Sequence, residues 1–211
     1  MRRDSRTLRA LVVSSQRTVV LLAAALLARS SVDLPARAEP SRLAPPPRAG
    51  ATEWRQRIDP APRGSALLRQ AMLEEHNRAR AELALPPLAW DETLARAADA
   101  YARELARTGR FAHAAQPRGR QRQGENLFAG TRDAYAYAEM VRWWLDERRA
   151  YVNAPSPRFS RTGRWQDAVH YAQIVWRGTA RLGCALAAGR RDDVLVCRYA
   201  PAGETIGETA Y

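Results

Sequence analysis

"VHYAQIVWRGTARLGCALAAGRRDDVLVCRY", residues 169–199, contains three runs with the composition of β-strands. The runs "VHYAQIVW", "RLGCALAA" and "DVLVCRY" are rich in β-branched, aromatic or small apolar residues, and glycine or charged residues separate them. The segment "GRRD" before the last run has the composition of a tight turn. These runs predict a small, mostly antiparallel sheet towards the end of the chain.

Helical patterns precede the predicted sheet. One begins at Ser65, a favourable N-cap residue, and another begins at Asp91 and closes at Gly109. A third pattern covers residues 133–151, whereas residues 109–130 are predicted to form a long loop. Helices followed by strands indicate an α+β fold rather than an alternating, doubly wound one.

The N-terminal part of the chain has the organisation of an exported protein. Residues 1–38 combine arginines, a short apolar run and small residues before a cleavage site after Ala38, which predicts a signal peptide. An uncleaved membrane anchor is the alternative. Residues 39–64 are rich in proline and predict a disordered linker, so the folded domain is assigned to residues 65–211.

The charge of the chain is strongly positive, at a formal +12. Residues 1–38 carry seven arginines against Asp4 and Asp33, a net +5, so the remainder carries +7. This excess favours anionic surfaces. The local cluster "RGRQRQ" at residues 118–123 contains no aromatic residue, which argues against nucleic-acid binding. No stable transmembrane segment is predicted once the signal is cleaved.

Three histidines, His76, His113 and His170, limit the possible metal and acid–base sites. The sequence "NRAR" after His76 excludes the paired-histidine helix of zinc proteases. Neither a Gly-x-Ser-x-Gly elbow nor a glycine-rich phosphate loop occurs. In the third helical pattern, the 100° rotation per residue points Glu147 towards the apolar face and Asp146 away from it.

Seven motifs occur in an order that resembles the CAP superfamily, or SCP domain, which includes cysteine-rich secretory proteins, venom antigens and plant pathogenesis-related group 1 proteins. They are "EEHNRAR", "LPPLAWDETLARAA", "GENLF", "WWLDERRAY", "HYAQIVW", "LGCALA" and "VCRYAPAGETIGE". The resemblance covers about residues 67–211. The absence of lysine, the proline-rich linker and the small number of cysteines are typical of a bacterial-like member.

The resemblance implies a three-layer α-β-α sandwich with a cleft lined by two histidines and two glutamates. The matching residues are His113, Glu125, Glu147 and His170. His113 and His170 are candidate ligands for a divalent metal such as zinc. The metal-free alternative holds each imidazole against a carboxylate, which raises the histidine pKa and fixes its tautomer. The pattern His-Asn-x-x-Arg implies structural roles for His76 and Asn77.

The resemblance favours a secreted binding or interaction module, extracellular or periplasmic. A lipid or sterol, a cell-envelope component or a protein are the expected ligand classes. The alternative is a divalent-metal-dependent hydrolase that uses the His113, Glu125, Glu147 and His170 cluster. Whether the chain is an enzyme is left open, with binding favoured.

Two further features concern residues at particular positions. In an oxidising compartment, Cys184 and Cys197 are expected to form a disulfide. The chain departs from the family pattern at Ala114, where serine is common, and at Glu204, where asparagine is usual. The first departure concerns the rim of the cleft, and the second is expected to affect only a local turn.

Overall fold

The computed structural model describes residues 59–117 and 119–211. The predicted signal peptide at residues 1–38 and residues 39–58 of the predicted linker lie outside this part. The helices are α1 (Ser65–Ala81), α2 (Glu92–Thr108), α3 (Tyr137–Leu145) and α4 (Val169–Ile174). The strands are β1 (Ala89–Trp90), β2 (Gly124–Thr131), β3 (Arg181–Ala188) and β4 (Asp192–Ala200). None of the helices in the described residues is long and apolar enough to cross a membrane.

The strands form one four-stranded sheet in the order β1-β3-β4-β2. Strand β4 pairs antiparallel with both β3 and β2, and the two-residue strand β1 adds a parallel edge beside β3. The predicted α+β fold with a small, mostly antiparallel sheet is confirmed. Cys184 and Cys197 are direct partners in the β3–β4 ladder, and the predicted disulfide joins them with an S–S distance of 2.01 Å.

Helices cover both faces of the sheet, so the predicted three-layer sandwich is also confirmed. Consecutive residues of β4 alternate between the faces, as the twofold repeat of a strand requires. Val194 and Val196 pack with α2, whereas Leu195 and Cys197 pack with α1, α3 and α4. Helix α2 lies so close to β3 that a Cβ atom on Gly183 would be 2.3 Å from the backbone nitrogen of Ala95.

The ends of α2 agree with the sequence prediction. The Asp91 side chain accepts hydrogen bonds from the backbone N–H groups of Thr93 and Leu94, at 2.8 and 3.0 Å. At the other end Gly109 adopts the left-handed conformation, with φ of 68°, and its N–H donates to Leu105 O. Local side-chain and backbone chemistry therefore fixes both ends.

The starts of two other predicted helices differ in the structure. Ser65 is the first residue of α1, not its cap, and no side chain caps this helix. Helix α3 begins at Tyr137 rather than near Asp133, because Asp133 has a positive φ of 61° that a right-handed helix does not allow. The third pattern continues as a 3₁₀ turn, Asp146–Arg149, which contains Glu147.

The run "VHYAQIVW" was predicted to be a strand, and this prediction is wrong. Its first six residues form helix α4, because tertiary partners satisfy both ends of a short helix. Glu147 accepts hydrogen bonds from the N–H groups of His170 and Tyr171, and Arg80 donates to the carbonyl of Ile174. These contacts outweigh the β preference of the valine and isoleucine side chains.

The prediction of a loop over residues 109–130 is also incorrect, since its last part belongs to strand β2. All eight residues of Gly124–Thr131 pair with β4. A Cβ atom on Gly124 would lie 2.0 Å from the Gln173 side chain, so the glycine permits the strand to pass α4. The motif "GENLF" therefore begins an edge strand of the sheet.

The described end of the predicted linker contacts the domain. The Arg63 guanidinium donates to Asp193 Oδ2 at 2.7 Å and to the carbonyl of Tyr135 at 2.9 Å. Asp193 is only 1 % exposed and also accepts from the N–H of Asp133. Arg63 thus supplies the positive charge that accompanies a buried carboxylate.

Candidate functional site

The first histidine–glutamate pair joins the loop after α2 to strand β2. His113 Nδ1 lies 2.7 Å from Glu125 Oε1, which also accepts a hydrogen bond from the N–H of Ala114 at 3.0 Å. Tyr101 of α2 donates through its hydroxyl to the carbonyl of Ala112. Both contacts hold the loop, and the imidazole itself is 61 % exposed.

The Glu125 side chain is only 4 % exposed, and its second oxygen faces Arg198 Nη2 at 2.8 Å. Arg198 in turn lies over the Tyr101 ring, at 5.3 Å from its centroid. The hydrogen bond to Glu125 is the main cause of a raised pKa for His113. The carboxylate therefore favours the protonated imidazole and orients its Nδ1 inward, leaving Nε2 towards solvent.

The second pair joins the 3₁₀ turn after α3 to the start of α4. His170 Nδ1 lies 2.5 Å from Glu147 Oε1, and Glu147 Oε2 accepts from two backbone N–H groups at the helix start. The Trp144 ring stacks on the imidazole with centroids 6.1 Å apart. Glu147 is mostly covered, whereas Asp146 is 64 % exposed, so the inward orientation predicted for Glu147 is the one observed.

Strand β2 approaches both pairs with consecutive residues. Glu125 points to the α2 face of the sheet, where it holds His113. Asn126 points to the opposite face and donates to the carbonyl of His170 at 3.1 Å. The four predicted residues thus form two hydrogen-bonded pairs, both positioned by the end of β2 that begins at Gly124.

Glu204 is a site residue that the sequence analysis did not include. Burial raises the pKa of Glu204 to about 7, against the opposing charges of Arg122, His170 and His113. Its backbone has a φ of 59°, a conformation that asparagine tolerates better than glutamate. The charges of His170 and His113 act on the pKa of Glu204, so this departure from the family pattern concerns the two pairs as well as the local turn. Its departure from the family pattern was the available signal.

His76 and Asn77 lie away from these pairs and contact the interior. His76 Nδ1 donates to Met72 O at 2.7 Å, and Nε2 lies 2.8 Å from the hydroxyl of Tyr199. Burial lowers the pKa of His76 to about 4, so the imidazole is neutral at pH 7. Asn77 exchanges two hydrogen bonds with the backbone of Leu88.

Gln173 links α4 to the segment after β4. Its Oε1 accepts from the N–H of Gly203 at 2.9 Å, and its Nε2 donates to Thr179 Oγ1 at 3.1 Å. Thr179 Oγ1 then donates to the carbonyl of Pro201. Gln173 is 1 % exposed, so these bonds fix the chain that leads to Glu204.

Comparison with known families identifies the domain. The model of the CAP family, described as the cysteine-rich secretory protein family, matches residues 73–199. The chain belongs to the CAP family. Pathogenesis-related protein 1C of Nicotiana tabacum is 34 % identical over 143 residues, covering 67 % of this chain and 80 % of the relative. Pathogenesis-related protein 1 of Arabidopsis thaliana is 33 % identical, and the match covers 67 % of this chain and 81 % of the relative.

Solved structures of CAP proteins share the fold. NaASP2, crystallised with Zn²⁺, is 26 % identical with a TM-score of 0.58, covering 72 % of this chain and 89 % of that one. Na-ASP-1 is 20 % identical with a TM-score of 0.59, and the match covers 74 % of this chain and 44 % of Na-ASP-1. CAP domains generally serve as binding or interaction modules, and this chain is one of them by family.

Proposed function

We propose that this CAP protein is exported and binds its ligand at the end of the sheet where the two histidine–glutamate pairs lie. The observation that carries the proposal is that neighbouring groups hold both glutamate carboxylates in place. Glu147 accepts three hydrogen bonds, and Glu125 contacts His113, Ala114 and Arg198. Carboxylates held in this way orient imidazoles, which supports recognition rather than general-base catalysis.

Because Nδ1 of each imidazole faces its glutamate, Nε2 of His113 and Nε2 of His170 are the atoms left to contact a ligand. A lipid, a sterol, a cell-envelope component or a protein segment with a hydrogen-bonding group could be held there. The sequence before Asp59, with its predicted signal, supports delivery of the domain outside the cytoplasm.

Native mass spectrometry of the chain purified from culture medium tests the proposal. A non-covalent ligand mass is expected with the wild type and is expected to disappear in the double variant His113→Ala, His170→Ala. The exposed pair Gln70→Ala, Glu74→Ala on α1 is the matched control and should retain the ligand. Retention in the histidine variant, or a ligand-free wild type, contradicts the proposal. The protein mass also reports whether cleavage follows Ala38.

Divalent-metal binding is a second candidate for the same site. A metal-ligating histidine commonly donates its other ring nitrogen to a carboxylate, which is the arrangement of His113 with Glu125 and His170 with Glu147. Among residues 59–117 and 119–211, no group of three His, Cys, Asp or Glu side chains could hold a metal ion. Two imidazoles, each backed by a carboxylate, would leave most positions around a zinc ion open, and zinc would act there as a Lewis acid.

Calorimetric titration with zinc chloride tests this second candidate. One weak site is expected for the wild type, because two imidazoles provide few strong ligands. His170→Ala should abolish the heat, while the Gln70→Ala, Glu74→Ala control should not change it. Absence of heat with folded wild-type protein, or an unchanged titration in His170→Ala, refutes metal binding at these histidines.

A further inference from the structure

A cavity of about 1040 Å³ lies at the end of the sheet opposite the histidine–glutamate pairs. Its walls come from the C-terminal part of α2, the turn between β3 and β4, and the far end of β2. The lining also includes four alanines, Ala106, Ala129, Ala187 and Ala188. In β2, Glu125 and Ala129 are four residues apart, which separates the two regions by roughly 13 Å along the strand.

Arginine dominates the lining of this cavity. Asp192 is the one acidic residue among the described residues that line this cavity. Three chain segments contribute six arginines: Arg103, Arg107, Arg110, Arg132, Arg190 and Arg191. This arrangement surrounds the cavity with positive charge.

Half of these arginines already have acidic partners. Arg103 pairs with Asp99 at 2.8 Å, Arg110 with Glu104 at 3.8 Å, and Arg132 with Asp133 at 3.5 Å. Within the described ranges, Arg107, Arg190 and Arg191 form no ion pair and no side-chain hydrogen bond. All three are exposed, so their charges are available to a ligand.

Backbone hydrogen bonds hold the turn that carries two of these arginines, Arg190 and Arg191. The N–H of Arg132 donates to Arg191 O at 2.8 Å, and the N–H of Gly189 donates to Asp192 O at 2.8 Å. The α2 C-terminus attracts a cation and so accounts for Arg107 without a ligand. The helix end does not account for Arg190 and Arg191, which lie on the β3–β4 turn. The like charges of these two neighbours repel each other.

We propose that this cavity binds an acidic oligosaccharide, a glycan segment with several sulfate, phosphate or carboxylate groups. The volume exceeds that of a single inorganic anion and suits a ligand of several sugar units. Arginine binds such planar or tetrahedral oxyanions through paired N–H donors. Phe111, which is 54 % exposed in the wall, offers a flat apolar face for a sugar ring.

The experiment measures binding of a heparin-derived hexasaccharide to the purified full-length chain by calorimetry. The triple variant Arg107→Gln, Arg190→Gln, Arg191→Gln is expected to weaken binding by at least about tenfold, because it removes the three available charged donors. The control triple Arg158→Gln, Arg161→Gln, Arg177→Gln removes the same net charge from positions outside the cavity. Its affinity should change by less than about twofold.

Further variants distinguish binding in this cavity from binding at the histidine–glutamate pairs and from attraction by net charge. Phe111→Ala keeps the charge and is expected to weaken binding severalfold, and His113→Ala with His170→Ala should leave it unchanged. Equal losses in the two arginine triples would show attraction by net charge alone and overturn the proposal. Wild-type binding to phosphatidylglycerol vesicles or inorganic phosphate without binding to the hexasaccharide would overturn it as well.

Discussion

Replacing Arg80 by alanine is expected to lower the free energy of unfolding by about 4 kcal/mol or more, since several buried acceptors lose their donor. Arg80 is 0 % exposed. Its guanidinium donates to four backbone carbonyls, at distances of 2.8 to 3.1 Å: Pro86 O, Ile174 O, Trp176 O and Thr179 O. Burial lowers the pKa of Arg80 to about 10, so the charge remains at pH 7.

Urea unfolding followed by tryptophan fluorescence measures this effect. Arg69→Ala is the control, because Arg69 lies on the same helix with a half-exposed side chain and one surface ion pair. Its loss should cost less than about 1 kcal/mol. Arg80→Lys should fall between the two, since one ammonium group cannot reach four carbonyls in different directions. A midpoint shift for Arg80→Ala no larger than that of the control would refute this role.

Gly183→Ala is expected to destabilise the domain by about 3 kcal/mol, because the new methyl group meets backbone that cannot rotate away. The Cβ atom would lie 2.3 Å from Ala95 N and 2.6 Å from Asp91 O, both at the start of α2. Helix α2 would have to move from the sheet, and Tyr101 would move with it. Thermal unfolding should show the lower midpoint.

Gly178→Ala provides the matched control for this substitution. A Cβ atom at Gly178 would lie 3.5 Å from the Trp176 side chain, which is an ordinary contact. The expected change is less than about 1 kcal/mol. Equal midpoints for the two alanine variants would show that α2 does not depend on the close approach at Gly183.

Local chemistry made part of the fold predictable. Asp91 and Gly109 mark the ends of α2 with groups that act within a few residues, and the structure retains both. The run at residues 169–174 has no such signal, because Glu147 and Arg80 come from distant segments. Strand β2 was missed for a related reason, since its pairing with β4 joins residues far apart in the sequence.

The candidate site was predictable residue by residue but not in its arrangement. Helical rotation alone selected Glu147, and family resemblance supplied His113, Glu125 and His170. The direct pairing of each imidazole with a particular glutamate depends on tertiary contacts through β2 and α4. The sequence marked Glu204 only as a departure from the family pattern, and the action of His113 and His170 on its pKa depends on the tertiary structure.

The side-chain amide of Gln173 sets the donor-to-acceptor direction of the hydrogen bonds around it. Gln173 Nε2 donates a hydrogen bond to Thr179 Oγ1, and the Thr179 hydroxyl donates its single hydrogen to Pro201 O. Gln173 Oε1 accepts a hydrogen bond from the N–H of Gly203. Gln173 and Thr179 each donate one of these hydrogen bonds and accept another, so the bonds run in one direction from Gly203 to Pro201. Glutamate has the same shape, but its carboxylate oxygen would replace the Nε2 donor and face the Thr179 hydroxyl, whose hydrogen is already donated to Pro201 O. Position 173 therefore requires a side chain that donates at one end and accepts at the other, in addition to one of the right volume.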